Sequence, residues 1–305
     1  MSKGAAAIIL VFAAIAIAGC GQQSAPDTRS GTRGLEMSFI QGNPPDRFIV
    51  PGEMGISLQI KNTGWATAEG NVYLSGFDPS VLSDLRNPNG AGIPYDGLGI
   101  RGKSVGDSQG EIAWKDFKVN ARLSDEVDVY RTRILATACY NYETIASTMV
   151  CVDPTPFGVT ERQKVCTSAP VSLSSQGAPV AVTRIEPSNA AGKIRFTIHV
   201  QNVGPGLVYQ VDHEDGCQPY GPGLKFEELN QIRVESVTIG GQPCNVDLGN
   251  NEGFIKLIDG RKSFLCTYSI PGGQNAAFNS PIIIRLRYGY RDSVSKDLEI
   301  AKIPR

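Results

Sequence analysis

The residues of this chain best suited to chemistry are its seven cysteines. Cys20 stands near the N-terminus, far from the other six, which are Cys139, Cys151, Cys166, Cys217, Cys244 and Cys266. No two of the six have the C-x₂-C spacing of a zinc site, and the chain has only two histidines, His199 and His213, to complete one. The spacing therefore predicts disulfides rather than a metal centre.

One glycine-rich segment matches a phosphate-binding loop. Residues 97–104 read Gly-Leu-Gly-Ile-Arg-Gly-Lys-Ser, which fits the G-x-x-x-x-G-K-[ST] pattern. A functional loop of this kind follows a buried strand and opens a helix, whereas residues 105–110, Val-Gly-Asp-Ser-Gln-Gly, do not begin a helix. We therefore predict no nucleotide or other cofactor here.

Clustered carboxylates are the remaining chemical candidates. Residues 212–216, Asp-His-Glu-Asp-Gly, offer oxygen ligands to Ca²⁺ but lack the D-x-D-x-D-G spacing of a calcium loop, so a solvated turn is expected. Nothing in the sequence brings Glu111 near Asp116 as an acid pair, and His199 falls on the polar side of its strand. The sequence predicts no catalytic residue, and we expect a non-enzymatic protein with no metal.

The charge of the chain excludes one class of partner. It has 29 Lys and Arg against 30 Asp and Glu, a net charge of -1. A nucleic-acid binder needs a basic face for the phosphates, so no nucleic-acid partner is expected.

The N-terminus has the pattern of an export signal. Lys3 precedes 14 uncharged apolar residues, 5–18, a length typical of a signal peptide and short for a membrane-spanning helix. The segment ends in Ile17-Ala18-Gly19-Cys20, which resembles the lipobox of prokaryotic lipoproteins. This resemblance implies a signal peptide over 1–19, a lipidated Cys20 followed by a tether over 20–33, and anchoring to the outer face of an archaeal or bacterial membrane.

A second interpretation of the N-terminus remains open. Lys3-Gly4 before an apolar stretch also resembles the cleavage site of archaeal pilin-like precursors. That resemblance implies a retained apolar helix and a subunit of a filament or an envelope lattice.

Export places the six remaining cysteines in an oxidising compartment, where disulfides persist. Six cysteines allow 15 pairings. The preferred set is Cys139–Cys151 across a hairpin, Cys244–Cys266, and by remainder Cys166–Cys217. The main alternative pairs Cys151 with Cys166.

The alternation of apolar and polar residues predicts β-strands as the elements that carry these cysteines. Residues 56–61 and 194–201 alternate with a period of two, and helical periodicity is limited to the short stretches 79–85 and 225–229. The two alternating strands end alike, at Asn62-Thr63-Gly64 and at Asn202-Val203-Gly204. The sequence predicts an all-β fold.

The shared ending belongs to an internal repeat. Tyr140-x-Tyr142 follows Asn62 by 78 residues, and Tyr288-x-Tyr290 follows Asn202 by 86. Each tyrosine pair continues an apolar stripe, so the aromatic residues, Trp114 included, are expected in the core. We predict two antiparallel β-sandwich domains, 34–158 and 166–305, joined by a linker over 159–165.

The strand-Asn-x-Gly unit, with Asn62-Thr63-Gly64-Trp65-Ala66 as its clearest form, resembles the CARDB type of Ig-like modules in prokaryotic surface proteins. The resemblance implies two tandem Ig-like domains and a structural or adhesive role at the cell surface, with a protein or glycan partner. A carbohydrate- or Ca²⁺-binding surface module is a further alternative.

A long turn-rich segment, residues 76–109, does not fit a compact sandwich and is a candidate partner loop. Its candidate contact residues are Asn87, Asn89, Pro94 and Tyr95. A smaller segment of the same composition, 216–223, lies in the second half and is a second candidate surface. A flexible insertion is the alternative for both segments.

Overall fold

The computed structural model describes residues 28–87, 90–91, 95–155, 164–190, 192–249, 253–270 and 276–303. The predicted signal segment 1–19, Cys20 and most of the linker 159–165 lie outside these residues. In the part of the chain that is described, no helix has the length and apolar character needed to cross a membrane.

The described residues of the first half form nine strands. They are β1 (Leu35–Phe39), β2 (Arg47–Val50), β3 (Gly52–Asn62), β4 (Ala68–Ser75), β5 (Leu82–Asn87), β6 (Gly90–Ala91), β7 (Tyr95–Ile100), β8 (Ile112–Ala121) and β9 (Val129–Val152).

The second half adds ten strands and one four-residue helix. They are β10 (Val171–Ser172), β11 (Val180–Ala190), β12 (Lys193–Asn202), β13 (Leu207–Tyr209), α1 (Glu214–Cys217), β14 (Gln231–Ile239), β15 (Gln242–Pro243), β16 (Asn245–Asp247), β17 (Phe254–Lys256), β18 (Arg261–Ser269) and β19 (Phe278–Lys302).

The strands form three sheets, which confirms the predicted all-β class. One five-stranded sheet, β1-β3-β8-β5-β6, comes from the first half, and another, β10-β11-β12-β18-β16, comes from the second. The third has nine strands, with β15-β14-β19-β9-β4-β7 as its main path and β2, β13 and β17 attached to it. We call this third sheet the central sheet.

The central sheet takes strands from both halves of the chain. Its two longest strands, β9 and β19, run antiparallel along their whole length, from Val129 opposite Ala301 to Val152 opposite Phe278. On its other side, β9 pairs with β4 through residues 135–141, whereas β19 pairs with β14 through residues 282–287. Each half therefore ends in a long strand that pairs with the long last strand of the other half.

The core follows the predicted alternation. Ile56, Leu58 and Ile60 are fully buried, and so are Tyr140 and Tyr288 of the two repeated tyrosine pairs. Buried residues from all three sheets belong to one continuous hydrophobic cluster. Trp114, expected in the core, is instead 62% exposed, because its position on β8 alternates with buried Phe117 and Val119.

The helical expectations were wrong. Part of the predicted stretch 79–85 belongs to strand β5, and residues 225–229 form turns. The long segment 76–109 is also less irregular than expected, since it contains β5, β6 and β7. Pairing with β8 and β4 explains these strands, because cross-strand partners override weak local propensity.

Six cysteines form three disulfides: Cys139–Cys217, Cys151–Cys166 and Cys244–Cys266. The preferred pairings Cys139–Cys151 and Cys166–Cys217 were therefore wrong. Cys139 and Cys151 lie on the single strand β9, 12 residues apart, and at about 3.3 Å per residue that distance far exceeds the reach of a disulfide. The alternative Cys151–Cys166 is present and fixes the chain where it leaves the central sheet. Disulfides of this number indicate an extracytoplasmic protein.

The repeated tyrosines meet where the two halves join. Tyr140 lies opposite Tyr290, and Tyr142 opposite Tyr288, on β9 and β19. The four rings contact one another in a closed group, with centroids 5.8 to 6.5 Å apart. We call this group of four the tyrosine junction.

The tyrosine junction holds both Asn-x-Gly turns in the same way. Tyr142 donates to Asn62 Oδ1 at 3.2 Å, and Tyr290 donates to Asn202 Oδ1 at 3.4 Å. Each asparagine then donates across its turn, Asn62 to the carbonyl of Ala66 and Asn202 to that of Gly206. The sequence repeat is thus a repeat of hydrogen bonds.

Candidate interaction surface

The residues expected in a partner loop are divided by the structure. Asn89 and Pro94 lie outside the described residues, and Asn87 ends strand β5, with its side chain outside the description. Tyr95 begins β7, the last strand of the central sheet, and its side chain is 38% exposed. The candidate site is therefore built around Tyr95 and the strand that it begins.

Residues 210–225, which we call the crossing loop, run from β13 over the outer face of the central sheet. The ring of Tyr209, just before the loop, lies on Gly289, where a Cβ atom would approach the ring to 2.1 Å. The disulfide Cys139–Cys217 then ties the loop to β9, with a Cα–Cα distance of 6.0 Å. Further along, the hydroxyl of Tyr220 donates to the carbonyl of Leu74 on β4 at 2.6 Å.

The two turn-rich segments of the sequence therefore meet on one surface. Tyr95 of the first segment lies beside Tyr73 of β4, with ring centroids 5.9 Å apart, and Tyr220 of the second segment binds the residue next to Tyr73. Tyr73 is buried, while Tyr220 is 45% exposed. We call the surface formed by Tyr73, Tyr95, Gly97, Gly99 and Tyr220 the tyrosine edge.

Strand β7 ends the central sheet in the described part of the chain. It pairs with β4 from Tyr73–Tyr95 to Ala68–Ile100, and within the described part of the chain no strand pairs with its other side. Gly97 and Gly99 lie on the same face as Tyr95, and a Cβ atom built on either would have nothing within 4 Å. Gly97 and Gly99 therefore give this face of β7 little side-chain cover.

Charge near the tyrosine edge is partly neutralised. Asp96, the charged residue of β7, pairs with Lys115 at 3.4 Å, and both side chains are mostly buried. Burial raises the pKa of Tyr73 above its usual value, and the carboxylates of Asp215 and Glu214 on the crossing loop raise it further. Tyr73 thus stays neutral at physiological pH.

The acidic cluster of the crossing loop has a structural role. Asn141 of β9 donates to the carboxylates of Asp212 and Glu214, and its own side-chain oxygen accepts from the backbone N–H of Asp212. In the described residues, no group of three or more acidic, histidine or cysteine side chains is placed to hold a metal ion. These carboxylates fix the loop to the sheet.

The segment that matches a phosphate-binding loop is a strand followed by a tight packing contact. Residues 97–100 belong to β7, and no helix follows. Gly102 lies so close to Trp65 that a Cβ atom would come within 2.3 Å of its backbone, and Lys103 N–H donates to the carbonyl of Gly64 at 2.7 Å. These residues close the first Asn-x-Gly turn instead of enclosing a phosphate.

Other candidate chemical residues are dispersed. His199 lies 3.5 Å from Glu186, and His213 lies 3.7 Å from Glu228, on different elements. Glu111 pairs with Arg101, and the acidic Asp116 accepts from the hydroxyl of Ser57. None of these groups forms a site together with the tyrosine edge.

Two tyrosines on the outer face of the central sheet were missed from the sequence. Tyr73 and Tyr209 both face away from the main core and join Cys139 and Cys217 in a second, smaller hydrophobic cluster. The alternation of β4 contained a signal for Tyr73, because Val72 and Leu74 on either side of it belong to the main core. For Tyr209, three strand residues provide too short a pattern to assign a face.

A comparison of the whole sequence with known protein families found no matching family, and a search of curated proteins found no similar sequence.

Proposed function

We propose that this chain is a non-enzymatic lipoprotein of a prokaryotic cell envelope, held at the outer face of the membrane by a lipid on Cys20. The cysteine count carries this proposal. Seven cysteines are present and six form disulfides with one another, so Cys20 has no cysteine partner within the chain. It stands directly after an apolar segment and two small residues, where a lipobox places its acylated cysteine.

The folded part suits a role at the membrane surface. Each half contributes one five-stranded sheet facing the central sheet, an arrangement in keeping with two Ig-like sandwiches. The tyrosine junction joins the two halves, which suits the pair to structural or adhesive work. The tyrosine edge is the surface that we assign to contact with other envelope molecules.

The length of the tether limits the position of the fold. Thr28, the first described residue, is eight residues after Cys20, which spans at most about 28 Å when fully extended. Nearby, Gly31 accepts from the N–H of Gly177 and donates to Ser175 Oγ at 3.0 Å, so the chain is fixed to the second half from this point. The lipid therefore holds the junction side of the molecule close to the membrane.

Acylation tests the proposal directly. The full chain carrying Cys20→Ala should lose incorporation of a labelled fatty acid and move from the membrane to the soluble fraction. Gly21→Ala is the matched control, since it alters the neighbouring residue but leaves the cysteine, and it should remain acylated and membrane-bound.

Two outcomes would contradict the anchor. A Cys20→Ala variant that still incorporates the fatty acid and stays in the membrane fraction would exclude the lipid anchor. A mature N-terminus at Ala5 would support the pilin-like alternative. Thermal unfolding of both variants, measured in parallel, shows whether a change of fraction results from misfolding instead.

A further inference from the structure

The outer face of the first five-stranded sheet carries an exposed tryptophan. Trp114 of β8 is 62% exposed, whereas Trp65, the other tryptophan of the chain, packs against the core. We propose that Trp114 is the centre of a carbohydrate-binding face whose ligand is an uncharged, extended glycan. This inference gives the surface role a class of ligand, and it does not depend on the lipid on Cys20.

The internal repeat shows that the fold does not require an indole at this position. The two Asn-x-Gly turns align strand β3 with β12, so Gln59 of the first half corresponds to His199 of the second. Gln59 lies opposite Trp114 on β8, and His199 lies opposite Ser263 on β18. The second half thus builds the same strand pair with a serine. A large ring that the sheet neither buries nor requires indicates a binding surface.

Trp114 ends a row of three side chains that crosses the sheet. Ser38 of β1 lies opposite Gln59 of β3, which in turn lies opposite Trp114. Residues directly opposite each other share a face of the sheet, and neighbouring strands are about 4.8 Å apart, so the row is about 10 Å long. Within the described part of the chain, no hydrogen bond engages the Gln59 amide or the Ser38 hydroxyl, so both are available to a ligand.

The next row along the sheet is a fixed hydrogen-bond network. Asn43 donates to Ser57 Oγ at 2.6 Å, and the Ser57 hydroxyl donates to Asp116 Oδ1 at 2.5 Å. Ser57 and Asp116 lie opposite each other on β3 and β8, two residues along from Gln59 and Trp114 and therefore on the same face. The exposed carboxylate of Asp116 is thus held beside the indole, where it can accept a hydrogen bond from a ligand hydroxyl.

This arrangement fits the chemistry of a sugar. One face of a pyranose ring carries C–H groups, which pack on the electron-rich face of an indole, while the hydroxyls project from the rim of the ring. The amide of Gln59 and the hydroxyl of Ser38 can both donate to and accept from such hydroxyls. The row carries no charge, which favours an uncharged glycan. A β-1,4-linked chain is extended, so its successive rings can follow the row from Trp114 toward Ser38.

A protein partner fits this face less well. A protein–protein interface has an apolar core inside a polar rim. Here polar side chains already lie next to the single exposed indole, in its own row and in the row of Ser57 and Asp116. The contact area is small, so we expect a dissociation constant of about 0.1–1 mM for one site. Many copies on one membrane would bind a polymeric glycan more tightly through avidity.

Titration with two uncharged β-1,4-linked tetrasaccharides, cellotetraose and chitotetraose, tests the face in the full chain in detergent. Isothermal calorimetry should detect binding of at least one of them. Trp114→Ala should weaken this binding at least about tenfold, and Gln59→Ala about twofold to fivefold. Phe226→Ala is the matched control, because Phe226 is 78% exposed but lies outside the first sheet, and it should leave binding unchanged. Circular dichroism shows whether each variant is folded.

Tryptophan fluorescence locates the bound sugar. The chain has two tryptophans, so Trp114→Phe leaves only the indole emission of Trp65. The tetrasaccharide should change the emission of the wild type and leave that of Trp114→Phe unchanged. Cys20→Ala should respond as the wild type does, even if it has lost the membrane, so the glycan face and the anchor are tested separately.

Three results would overturn the proposal. The first is no binding of either tetrasaccharide up to about 10 mM. The second is equal binding by the wild type and Trp114→Ala. The third is a Trp114 emission that changes with protein concentration alone, which would assign the face to a second copy of the chain.

Discussion

Tyrosines occupy both faces of the central sheet, and the two groups differ in what their hydroxyls contact. At the tyrosine junction, Tyr140 accepts from the backbone N–H of Leu35 and Tyr288 from that of Val180, both at 3.3 Å. On the outer face, Tyr220 donates to a neighbouring backbone carbonyl, and Tyr209 has no hydrogen-bond partner among the described residues.

The difference separates a structural group from a contact surface. A buried tyrosine whose hydroxyl binds the backbone of another strand fixes the position of that strand, and the tyrosine junction does this for both halves at equivalent points. At the tyrosine edge, the rings of Tyr73 and Tyr95 contact each other, and the Tyr220 ring is 45% exposed. The same residue type therefore fixes both Asn-x-Gly turns on one face and is partly exposed on the other.

The comparison is most severely tested by removing one ring from each face. Tyr288→Ala should lower the free energy of unfolding by about 3–5 kcal/mol, because it leaves a cavity, removes the acceptor of Val180 N–H and takes away one of two partners of the Thr144 hydroxyl. Tyr95→Ala should lower it by less than about 1 kcal/mol, since its ring is partly exposed.

Equilibrium unfolding in guanidinium chloride, with the disulfides intact, measures both variants. A single transition is expected, because β9 and β19 join both halves in one sheet. Equal losses for the two variants would show that the tyrosine edge is as structural as the junction.

Alkaline pH should affect the stability contributions of the two groups of tyrosines differently. Burial raises the pKa of all four junction tyrosines above the usual value of about 10, so the folded state holds their protons longer than the unfolded state does. Their contribution to stability is complete below about pH 10 and is lost as the pH rises above it toward the folded pKa values, by up to about 1.4 kcal/mol per pH unit for each tyrosine.

Unfolding curves recorded across this range, followed by circular dichroism, test that slope. Tyr288→Phe should reduce the slope of unfolding free energy against pH by the contribution of one tyrosine. Tyr220→Phe should change it less, because the Tyr220 ring is 45% exposed and its charged form keeps contact with water. A slope that is the same in both variants would contradict the assignment.

The sequence predicted this fold where the pattern was local. Alternation identified the stripes of Ile56, Leu58 and Ile60, and the spacing of Asn62 and Asn202 to their tyrosines identified the repeat. The extent of β9 was missed, because a hairpin was assumed between Cys139 and Cys151. Residues 140–150 contain no Gly or Pro to form that turn, so the sequence in fact held a signal for one continuous strand.

What the sequence did not reveal was the pairing between halves. Alternation specifies which face of a strand is buried but not which strand lies beside it, and β9 and β19 pair across more than a hundred residues of chain. The residues of the tyrosine edge were accordingly predicted only in two separate segments, 76–109 with Tyr95 and 216–223 with Tyr220. Their meeting depends on the crossing loop and the disulfide Cys139–Cys217.

The smallest predicted effect differs in sign between the two faces. Tyr209→Phe removes a buried hydroxyl that has no partner in the described part of the chain, so it should raise the free energy of unfolding by about 1 kcal/mol. Tyr288→Phe removes a hydroxyl that contacts Val180 N–H and Thr144, so it should lower that free energy by about 1–2 kcal/mol. Both rings are fully buried, so a difference in packing does not distinguish the two variants. Guanidinium unfolding of both therefore measures the contribution of the hydroxyl alone.

A loss in Tyr209→Phe as large as that in Tyr288→Phe would mean that the Tyr209 hydroxyl also stabilises the fold. The outer face would then be as constrained as the junction.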